Sequence, residues 1–307
     1  MAKCSFCSGK AIYSKDRTSF CKKHFNRFFI KKVEKVLHMS KLFNKKVLIA
    51  VSGGKDSSAL AFALKKLNEN LASSRKNHLE LFHINLGIPE FSEDCLASVK
   101  ELSKLLNLKL HVVSLADITQ KSLEEIAKNR LQPICGICGT IKRYLFNKFA
   151  FENGFDFIAT GHNLDDEALL IFNALISRNI TNLVENRVFK PSIPEKKLVG
   201  RVKPLYFLQE EETLLYANIN EIPYSKKDCK YSKKKRVIKN REILSELEKK
   251  VPIKKALVVL PIKLSSYMKD QKKEEDYKKC KLCSYPTIKR DICRFCELIR
   301  VENYDVE

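Results

Sequence analysis

A short glycine turn between an apolar run and a helical pattern constrains this chain more than any other feature. Residues 47–51 are apolar and residues 58–64 alternate small and apolar side chains. The turn between them reads Ser52-Gly53-Gly54-Lys55-Asp56-Ser57. Glycines let the backbone approach an anion closely, and the free amides and the dipole of a helix N-terminus attract it. The pattern predicts a phosphate-binding loop, and its spacing excludes a Walker loop. An ordinary turn with a helix cap at Asp56 or Ser57 is the structural alternative.

The charge of the chain indicates a polyanionic partner. The formal net charge is +22 over 307 residues. A general preference for lysine is one explanation, but the basic residues also form two clusters. The first holds Lys226, Lys227, Lys230, Lys233, Lys234, Lys235, Arg236, Lys239 and Arg241, and the second holds Lys22, Lys23, Arg27, Lys31, Lys32 and Lys35. Such clusters are typical of nucleic-acid binding. An acidic membrane surface is disfavoured because the second cluster lacks a clean apolar face opposite it.

Length and composition predict a cytoplasmic protein with one large domain and small additions. The chain has 44% apolar residues, enough to bury a core. No apolar run reaches the roughly 18 residues of a membrane span, and the N-terminus does not resemble a signal peptide. Because a reducing compartment does not keep disulfides, the eleven cysteines predict metal ligands or reactive thiols.

Both ends of the chain carry metal-ligand spacing. The N-terminal set reads C-x2-C-x13-C-x2-H and consists of Cys4, Cys7, Cys21 and His24. The C-terminal set reads C-x2-C-x9-C-x2-C and consists of Cys280, Cys283, Cys293 and Cys296. Paired knuckles of this kind predict two structural zinc ions with full ligand shells. We expect these modules to present Phe25, Arg27, Arg290 and Arg294 to RNA. The predicted domains are a zinc module at 1–30, a catalytic domain at 31–250 with an RNA-binding segment at 226–241, and a tail with a zinc module at 251–307.

The segment between the zinc modules alternates strand and helix patterns. After the phosphate loop, strands are predicted at 79–85, 108–113 and 155–160, and helices at 91–106, 119–129, 138–153 and 163–177. Alternation of this kind predicts an α/β fold, a doubly wound parallel sheet with helices on both faces. Ligands of such sheets lie beyond the carboxyl ends of the strands. The turn at Ser52 and the segments 83–87 and 161–162 should therefore lie along one edge.

The last predicted strand is followed by Gly161 and an acidic helix start. Asn163 is a reasonable N-cap for that helix, which is the structural reading. Acids beside a triphosphate would be repelled by it unless a magnesium ion lay between them. Because neighbouring helix residues point about 100° apart, Asp165 and Asp166 cannot face the same oxygen. One should orient metal or substrate, and the other should cap the helix or face elsewhere.

A second chemical motif is the pair Cys135 and Cys138, placed just before a basic helix with Lys142 one turn along. The helix dipole and nearby cations predict lowered thiol pKa values, which suit thiolates that bind metal or carry sulfur. Cys229 is a candidate third member. Three cysteines can hold an iron–sulfur cluster with one iron left open, or cycle through persulfide and disulfide chemistry. Structural thiols plus an incidental surface cysteine remain the plain alternative.

Taken together, these motifs resemble the tRNA 2-thiolation enzymes of the TtcA/TtuA type, members of the PP-loop ATP pyrophosphatase superfamily. The two zinc modules favour the branch of the archaeal and eukaryotic wobble-uridine thiolases. The resemblance implies that ATP adenylylates the C2 oxygen of a uridine and that sulfur then displaces AMP. It implies ATP binding by Ala50, Val51, Ser52, Gly53, Gly54, Lys55, Asp56, Ser57, Ile84 and Gly161.

The same resemblance implies a [4Fe-4S] cluster on Cys135, Cys138 and Cys229. Catalytic roles fall to Lys142, Asp56 and one of Asp165 and Asp166, with Asp166 favoured. The partners implied are tRNA, a ubiquitin-like sulfur carrier or free sulfide as the sulfur source, and a second copy in a homodimer. The family commonly has proline after the third cysteine, where this chain has Lys230.

Three other hypotheses stay open at this point. A lysidine synthase or an amide-forming synthetase would share the phosphate loop without needing the three cysteines. A persulfide-based thiolase would use the same residues without iron. A non-catalytic, zinc-dependent RNA-binding protein would bind RNA without regard to ATP.

Overall fold

The computed structural model describes residues 2–128, 130–232, 235–267 and 277–299. The strands are β1 (Tyr13–Lys15), β2 (Thr18–Phe20), β3 (Lys46–Ala50), β4 (His78–Asn85), β5 (Leu110–Ser114), β6 (Phe157–Thr160), β7 (Phe189–Lys190), β8 (Gly200–Val202), β9 (Tyr277–Lys279) and β10 (Pro286–Ile288). The helices are α1 (Lys22–Met39), α2 (Lys55–Glu69), α3 (Phe91–Leu106), α4 (Leu115–Thr119), α5 (Leu123–Ala127), α6 (Ile134–Glu152), α7 (Leu164–Ile176), α8 (Ile180–Glu185), α9 (Glu210–Ile219), α10 (Lys235–Lys250), α11 (Ile253–Tyr267) and α12 (Arg294–Ile299).

Six strands form the central sheet in the order β5-β4-β3-β6-β8-β7. All neighbours pair in parallel except β7, which pairs antiparallel with β8 at the edge. The chain starts the sheet at β3, builds one half through β4 and β5, and then crosses to β6 on the other side. The strand order therefore reverses between β3 and β6, the position where sheets of this class bind ligands.

The alternation of β3 divides the core into two layers. Val47 and Ile49 face one layer with α1, α2, α7 and α9. Leu48 and Ala50 face the other layer with α6 and the C-terminal module. Because both faces are covered, the strand is apolar throughout rather than alternating with polar residues. The predicted doubly wound α/β fold is confirmed.

Each terminal module packs on one of the two layers. The N-terminal hairpin of β1 and β2 leads into α1, where Phe25 and Phe29 are fully buried. The C-terminal module lies on α6, with the rings of Tyr144 and Phe295 stacked 3.9 Å apart. Helix α1 runs without a break through residue 30, the predicted end of the N-terminal module. In the described ranges, no helix has the length and apolar character needed to span a bilayer.

Two predicted helices differ from the structure. The helix predicted at 119–129 is two short helices instead, and residue 129 lies outside the described residues. Gln120 ends α4 with a left-handed φ of 55°, and Ser122 starts α5 with a capping box to Glu125. The helix predicted from residue 138 begins at Ile134, so Cys135 and Cys138 lie inside its first turns rather than before it.

A buried carboxylate fastens the N-terminal module to α9. The side chain of Glu212 is inaccessible to solvent and accepts bonds from Lys15 Nζ at 2.7 Å, Lys32 Nζ at 3.2 Å and the Tyr13 hydroxyl at 3.0 Å. Although burial opposes ionisation, Lys32 and Lys15 outweigh it and lower the pKa of Glu212. The carboxylate therefore joins three elements that are distant in sequence.

We expect Glu212→Ala to lower the free energy of unfolding by about 3 kcal/mol, because it leaves Lys15 and Lys32 partly buried without their carboxylate. Glu211→Ala is the matched control, because Glu211 is exposed and its one contact with the Tyr13 hydroxyl is long, at 3.4 Å. Urea unfolding of both variants measures the difference. Equal midpoints for the two variants would contradict the role assigned to Glu212.

Candidate functional site

The glycine turn forms a closed loop at the carboxyl end of β3. The Ser57 hydroxyl accepts from the Ser52 amide at 3.1 Å and donates to the Gly54 carbonyl at 2.9 Å. Gly54 is the N-cap of α2 and no side chain caps that helix. The alternative of a cap at Asp56 or Ser57 is therefore wrong. Because no side chain caps them, the first amides of α2 are left to an outside acceptor.

Two glycines allow backbones to meet around this loop. Gly53 has a φ of 89°, and a Cβ there would lie 2.6 Å from the Cβ of Cys95 on α3. A Cβ on Gly161 would lie 2.9 Å from the backbone nitrogen of Ser57. The segment after β6 thus touches the start of α2 directly. The loop is fixed from both sides by contacts that any larger residue would break.

Asp56 lies at the centre of a polar network on the first turn of α2. Its carboxylate accepts from Lys55 Nζ at 2.8 Å, from Asn163 Nδ2 at 3.2 Å and from the Thr213 hydroxyl. Lys55 also reaches Glu210 at 3.0 Å. Three elements, α2, α7 and α9, therefore converge on this carboxylate.

The two neighbouring aspartates of α7 point in different directions, as their spacing predicts. Asp165 accepts from the Glu210 amide at 2.7 Å and from Lys254 Nζ at 2.6 Å. Asp166 forms a capping box with Asn163 and lies 3.5 Å from Arg241. Burial and the charge of Asp56 raise the pKa of Asp166 to about 6. Asp166 and Asp56 therefore form a site with excess negative charge next to the loop.

The three candidate cluster cysteines come together from α6 and the segment after α9. Burial raises the pKa of Cys138, the charges of Cys229 and Cys135 add to the rise, and Lys142 opposes it. The prediction that cations lower this pKa is therefore wrong for Cys138, because burial outweighs Lys142. These three sulfurs are not among the sets of described ligand atoms that lie within 4.8 Å of one another. The three sulfurs therefore lack the close spacing of a single tetrahedral metal ion.

The segment that carries Cys229 is fastened to the phosphate loop and to α5. The Ser225 amide donates to the Gly53 carbonyl at 2.8 Å, and the Ser225 hydroxyl donates to Asp94. Further along, the Tyr231 hydroxyl donates to Glu124 at 2.6 Å, and Lys230 lies 3.3 Å from the same carboxylate. Lys230, which replaces the family proline, thus contributes an ion pair to the segment.

The other residues expected near a nucleotide lie at the ends of the central strands. Val51 follows β3, and its carbonyl is held by His83 Nδ1 at 2.9 Å. Ala50 and Ile84 are buried, so their side chains belong to the core. Lys142 lies on α6 one turn after Cys138 and lines a cavity with Thr160 and His162. The cysteine motif and the nucleotide motif therefore meet at one edge of the sheet.

The terminal sets have the dimensions of metal sites. In the first set, His24 Nδ1 lies 3.4 Å from the sulfurs of Cys4 and Cys21, and the sulfurs of Cys7 and Cys21 are 3.7 Å apart. These are the edge lengths expected of a tetrahedron around a zinc-sized ion. In the second set, Cys283 and Cys293 are also 3.7 Å apart. Each complete set of four lies within 4.8 Å and could hold one metal ion.

Several basic and aromatic residues that were predicted to face RNA are buried or form ion pairs within the protein. Phe25 is fully buried against Tyr13 and cannot meet RNA, and Lys32 is occupied by Glu212. Arg290 and Arg294 both pair with Glu297. In the 22–35 cluster, the exposed residues with four-residue spacing are Lys23, Arg27, Lys31 and Lys35. In the 226–241 cluster, Lys233 and Lys234 lie outside the described residues, as do the side chains of Lys235 and Arg236.

Sequence reasoning missed the contribution of α9. Thr213 and Glu210 reach the phosphate loop from more than 150 residues away along the chain. The only available signal was the acidic first turn of α9, Glu210-Glu211-Glu212. Three consecutive glutamates in such a basic chain indicate that their carboxylates pair with lysines or arginines. The sequence does not identify those lysines or arginines.

Comparison with known proteins gives consistent matches over most of the chain. Residues 25–247 match the family model of the PP-loop domain. A tRNA-5-methyluridine(54) 2-sulfurtransferase of Pyrococcus horikoshii is 38% identical over 96% of this chain and 93% of its own length. A protein of the same description from Thermotoga maritima is 37% identical over 96% and 95%. The U34-tRNA thiolase NcsA from Methanococcus maripaludis, solved with its [4Fe-4S] cluster, superposes with a TM-score of 0.82 at 28% identity, covering 96% of this chain and 95% of NcsA.

We expect Asp166→Asn to raise the melting temperature of the nucleotide-free protein at pH 7.5 by about 1–3 °C. The raised pKa means that folding disfavours the charged form, a cost that is present above about pH 6 and fades as the pH falls toward the ordinary value of 3.8. The gain should therefore shrink in thermal scans below pH 6, while asparagine can still accept the Asn163 amide bond.

Asp165→Asn is the control and should lower the melting temperature, because Asp165 pairs with Lys254 where both side chains are only 16% exposed. A loss of stability in Asp166→Asn at pH 7.5 would contradict the electrostatic strain assigned to it.

Proposed function

Because this chain belongs to the PP-loop tRNA 2-sulfurtransferase family, we propose that it is an ATP-dependent enzyme that replaces the C2 oxygen of a tRNA uridine with sulfur. The observation that carries the proposal is the bond from the Ser225 amide to the Gly53 carbonyl. It joins the phosphate loop to the segment of Cys229, so the nucleotide and the sulfur chemistry share one edge of the sheet. Neither a lysidine synthase nor a plain RNA-binding protein needs that junction.

The phosphate loop would hold ATP through the first amides of α2 and the glycine backbone. The uridine O2 then attacks the α-phosphorus, pyrophosphate leaves, and the O2–AMP bond forms. In the second step sulfide attacks C2 and AMP leaves with the former O2. Conversion of O2 into a phosphate ester makes a poor leaving group into a good one, as covalent activation does generally. Lys142 lies between the cysteine motif and the phosphate loop. In this proposal its ammonium group stabilises the negative charge that develops on the leaving phosphate groups.

Magnesium would be held by one or two carboxylates together with the phosphates of ATP. Asp56 and Asp166 suit this role, because the charge of Asp56 already raises the pKa of Asp166. A divalent ion between them would remove that repulsion. Asp165 is a positioning residue in this proposal, since it holds Lys254 and the start of α9.

Cys135, Cys138 and Cys229 would hold the [4Fe-4S] cluster. Three thiols that are not grouped tightly enough for a single ion, with burial around Cys138, suit a cluster with one iron free of protein ligands. When bound, the cluster supplies a site that keeps sulfide nucleophilic and away from water. The two terminal sets would each hold one structural zinc ion.

The remaining features follow from the same proposal. The domains are those of the sequence prediction: a zinc module at 1–30, the catalytic domain at 31–250 and a C-terminal zinc module within 251–307. The chain would act in the cytoplasm, where its eleven cysteines stay reduced. Sulfur would come from a ubiquitin-like carrier or from free sulfide, and the enzyme would work as a homodimer.

The direct test is anaerobic purification followed by iron, sulfide and zinc analysis and an ATP-dependent thiolation assay on tRNA. We expect about four irons and two zincs in the wild type. Cys138→Ala should lose the iron and the thiolation activity while keeping the zinc, because it removes one of three ligands.

Cys95→Ala is the matched control. Cys95 is a buried thiol against Gly53, and its replacement should keep iron and activity. Thiolation by an iron-free wild type would instead favour persulfide chemistry. ATP-independent RNA binding without thiolation would favour the RNA-binding protein.

A basic stripe on α1 is the surface that we propose for the RNA backbone. Lys23, Arg27, Lys31 and Lys35 are exposed and rise about 6 Å per step, which is comparable to the spacing of successive phosphates on an RNA strand. No described carboxylate pairs with the first three of them. Their contribution should be electrostatic and independent of sequence.

We expect the triple variant Lys23→Ala, Arg27→Ala, Lys31→Ala to weaken tRNA binding and to reduce the slope of log affinity against log salt by about 2–3. Filter binding at several salt concentrations measures it. The double variant Lys100→Ala, Lys104→Ala on α3 is the control and should keep the wild-type slope. An unchanged slope in the triple variant would place the RNA elsewhere.

A further inference from the structure

A cavity of about 350 Å³ lies on the α6 face of the sheet. Thr160 and His162 in its lining flank Gly161, which contacts the phosphate loop. The floor of the cavity is a row of side chains from three neighbouring strands. Ile158 of β6 lies opposite Arg201 of β8, and Arg201 lies opposite Lys190 of β7. All three residues therefore face the same side of the sheet. Helix α6 covers this row with Arg143 and Phe146. We call this cavity the basic pocket.

The lining of the basic pocket carries a large excess of positive charge. Its cations are Lys142, Arg143, Arg187, Lys190, Arg201 and Lys203. Two of them are compensated, because Lys203 pairs with the buried Glu167 at 2.7 Å and Lys190 pairs with Glu185. Among the described residues, no carboxylate comes within ion-pair distance of Arg143, Arg187 or Arg201. Arg201 is largely buried, and burial together with Arg143 lowers its pKa.

Uncompensated cations in a partly buried cavity are costly unless a ligand neutralises them. The phosphates of ATP are already accounted for by the loop at the start of α2. A second anion would therefore stabilise the partly buried Arg187 and Arg201, and Arg143 at the exposed mouth could also contact it. Arginine forks suit a phosphate group, which they can bind through two parallel hydrogen bonds.

Besides its cations and the polar residues Thr160, His162 and Glu185, the lining has an apolar part that a phosphate alone would leave unfilled. Phe146, Ile158 and Val188 form an apolar wall beside the arginines. An aromatic ring next to a phosphate-binding group is the arrangement by which proteins hold an unstacked RNA base together with its backbone. The volume is large enough for one nucleotide.

We propose that the basic pocket takes one nucleotide flipped out of the RNA, with its base against Phe146 and Ile158 and an adjoining phosphate on Arg143 and Arg201. This inference rests on the proposed function, because it assumes an RNA substrate. Lys142 lines the same pocket and lies one turn from Cys138. Thr160 and His162 of the lining flank Gly161, which touches Ser57, so a base held there lies near both the cysteine motif and the phosphate loop. Enzymes that react with a base generally extrude it in this way.

Photocrosslinking tests the pocket without relying on turnover. The full-length protein, prepared anaerobically, is irradiated with a tRNA transcript made with 5-iodouridine in place of uridine, and the linked peptides are sequenced. We expect the link on Phe146 and its loss in Phe146→Leu. Phe151→Leu is the matched control, since Phe151 is a half-buried ring of the same helix outside the pocket.

Kinetics give a second readout. Arg143 is exposed at the pocket mouth, so Arg143→Gln should fold normally. We expect it to raise the KM for tRNA about tenfold at an unchanged affinity for ATP, and Arg143→Lys to recover part of the loss. Links confined to other peptides, with a wild-type KM in Arg143→Gln, would overturn the proposal.

The outcomes separate this proposal from the proposed function. A Phe146 link without any thiolation would keep the pocket and refute the function. Thiolation without that link would keep the function and refute the pocket. If Arg143→Gln loses thiolation only when a carrier protein thiocarboxylate supplies the sulfur, and not with free sulfide, the pocket receives the carrier tail and the proposal is wrong.

Discussion

The close approach of two backbones at the point where strand order reverses is the constraint on which this structure depends. Gly161 touches the first turn of α2 with no room for a side chain, and Gly53 touches α3 in the same way. These contacts hold the segment after β6 against the start of α2 and the loop against α3. Asp56 and Asn163 can then share a hydrogen bond across the gap. The site is thus built by main-chain packing, and its side chains are placed by that packing.

Charge is distributed around this junction in two opposed regions. On one side, Asp56 and Asp166 bring excess negative charge to the phosphate loop. On the other side, the arginines of the basic pocket bring excess positive charge. Each region is strained in isolation and relieved by a ligand of opposite sign. Such an arrangement costs folding free energy but orders the ligands before chemistry begins.

The sequence was sufficient for features that are local or strictly periodic. Helix α3 has the predicted bounds of residues 91–106, and the phosphate loop lies between its predicted strand and helix. The sequence was not sufficient where residues distant along the chain determine the burial or the contacts of a side chain. Phe25 looked available to RNA until the hairpin of β1 and β2 covered it, and burial reversed the pKa shift expected for Cys138. The contact of Thr213 depends on how α9 packs against α2, and the basic pocket depends on strand register; single-residue patterns report neither.

The hydrogen bond between Ser225 and Gly53 has a thermodynamic consequence. It joins the loop that would hold the nucleotide directly to the segment that would hold the metal centre. Linkage then requires reciprocity, so any change that nucleotide binding imposes on the metal affinity must be matched by an equal effect of the metal on nucleotide affinity. If a metal centre held there changes the affinity for ATP, its loss to oxygen must change that affinity by the same factor.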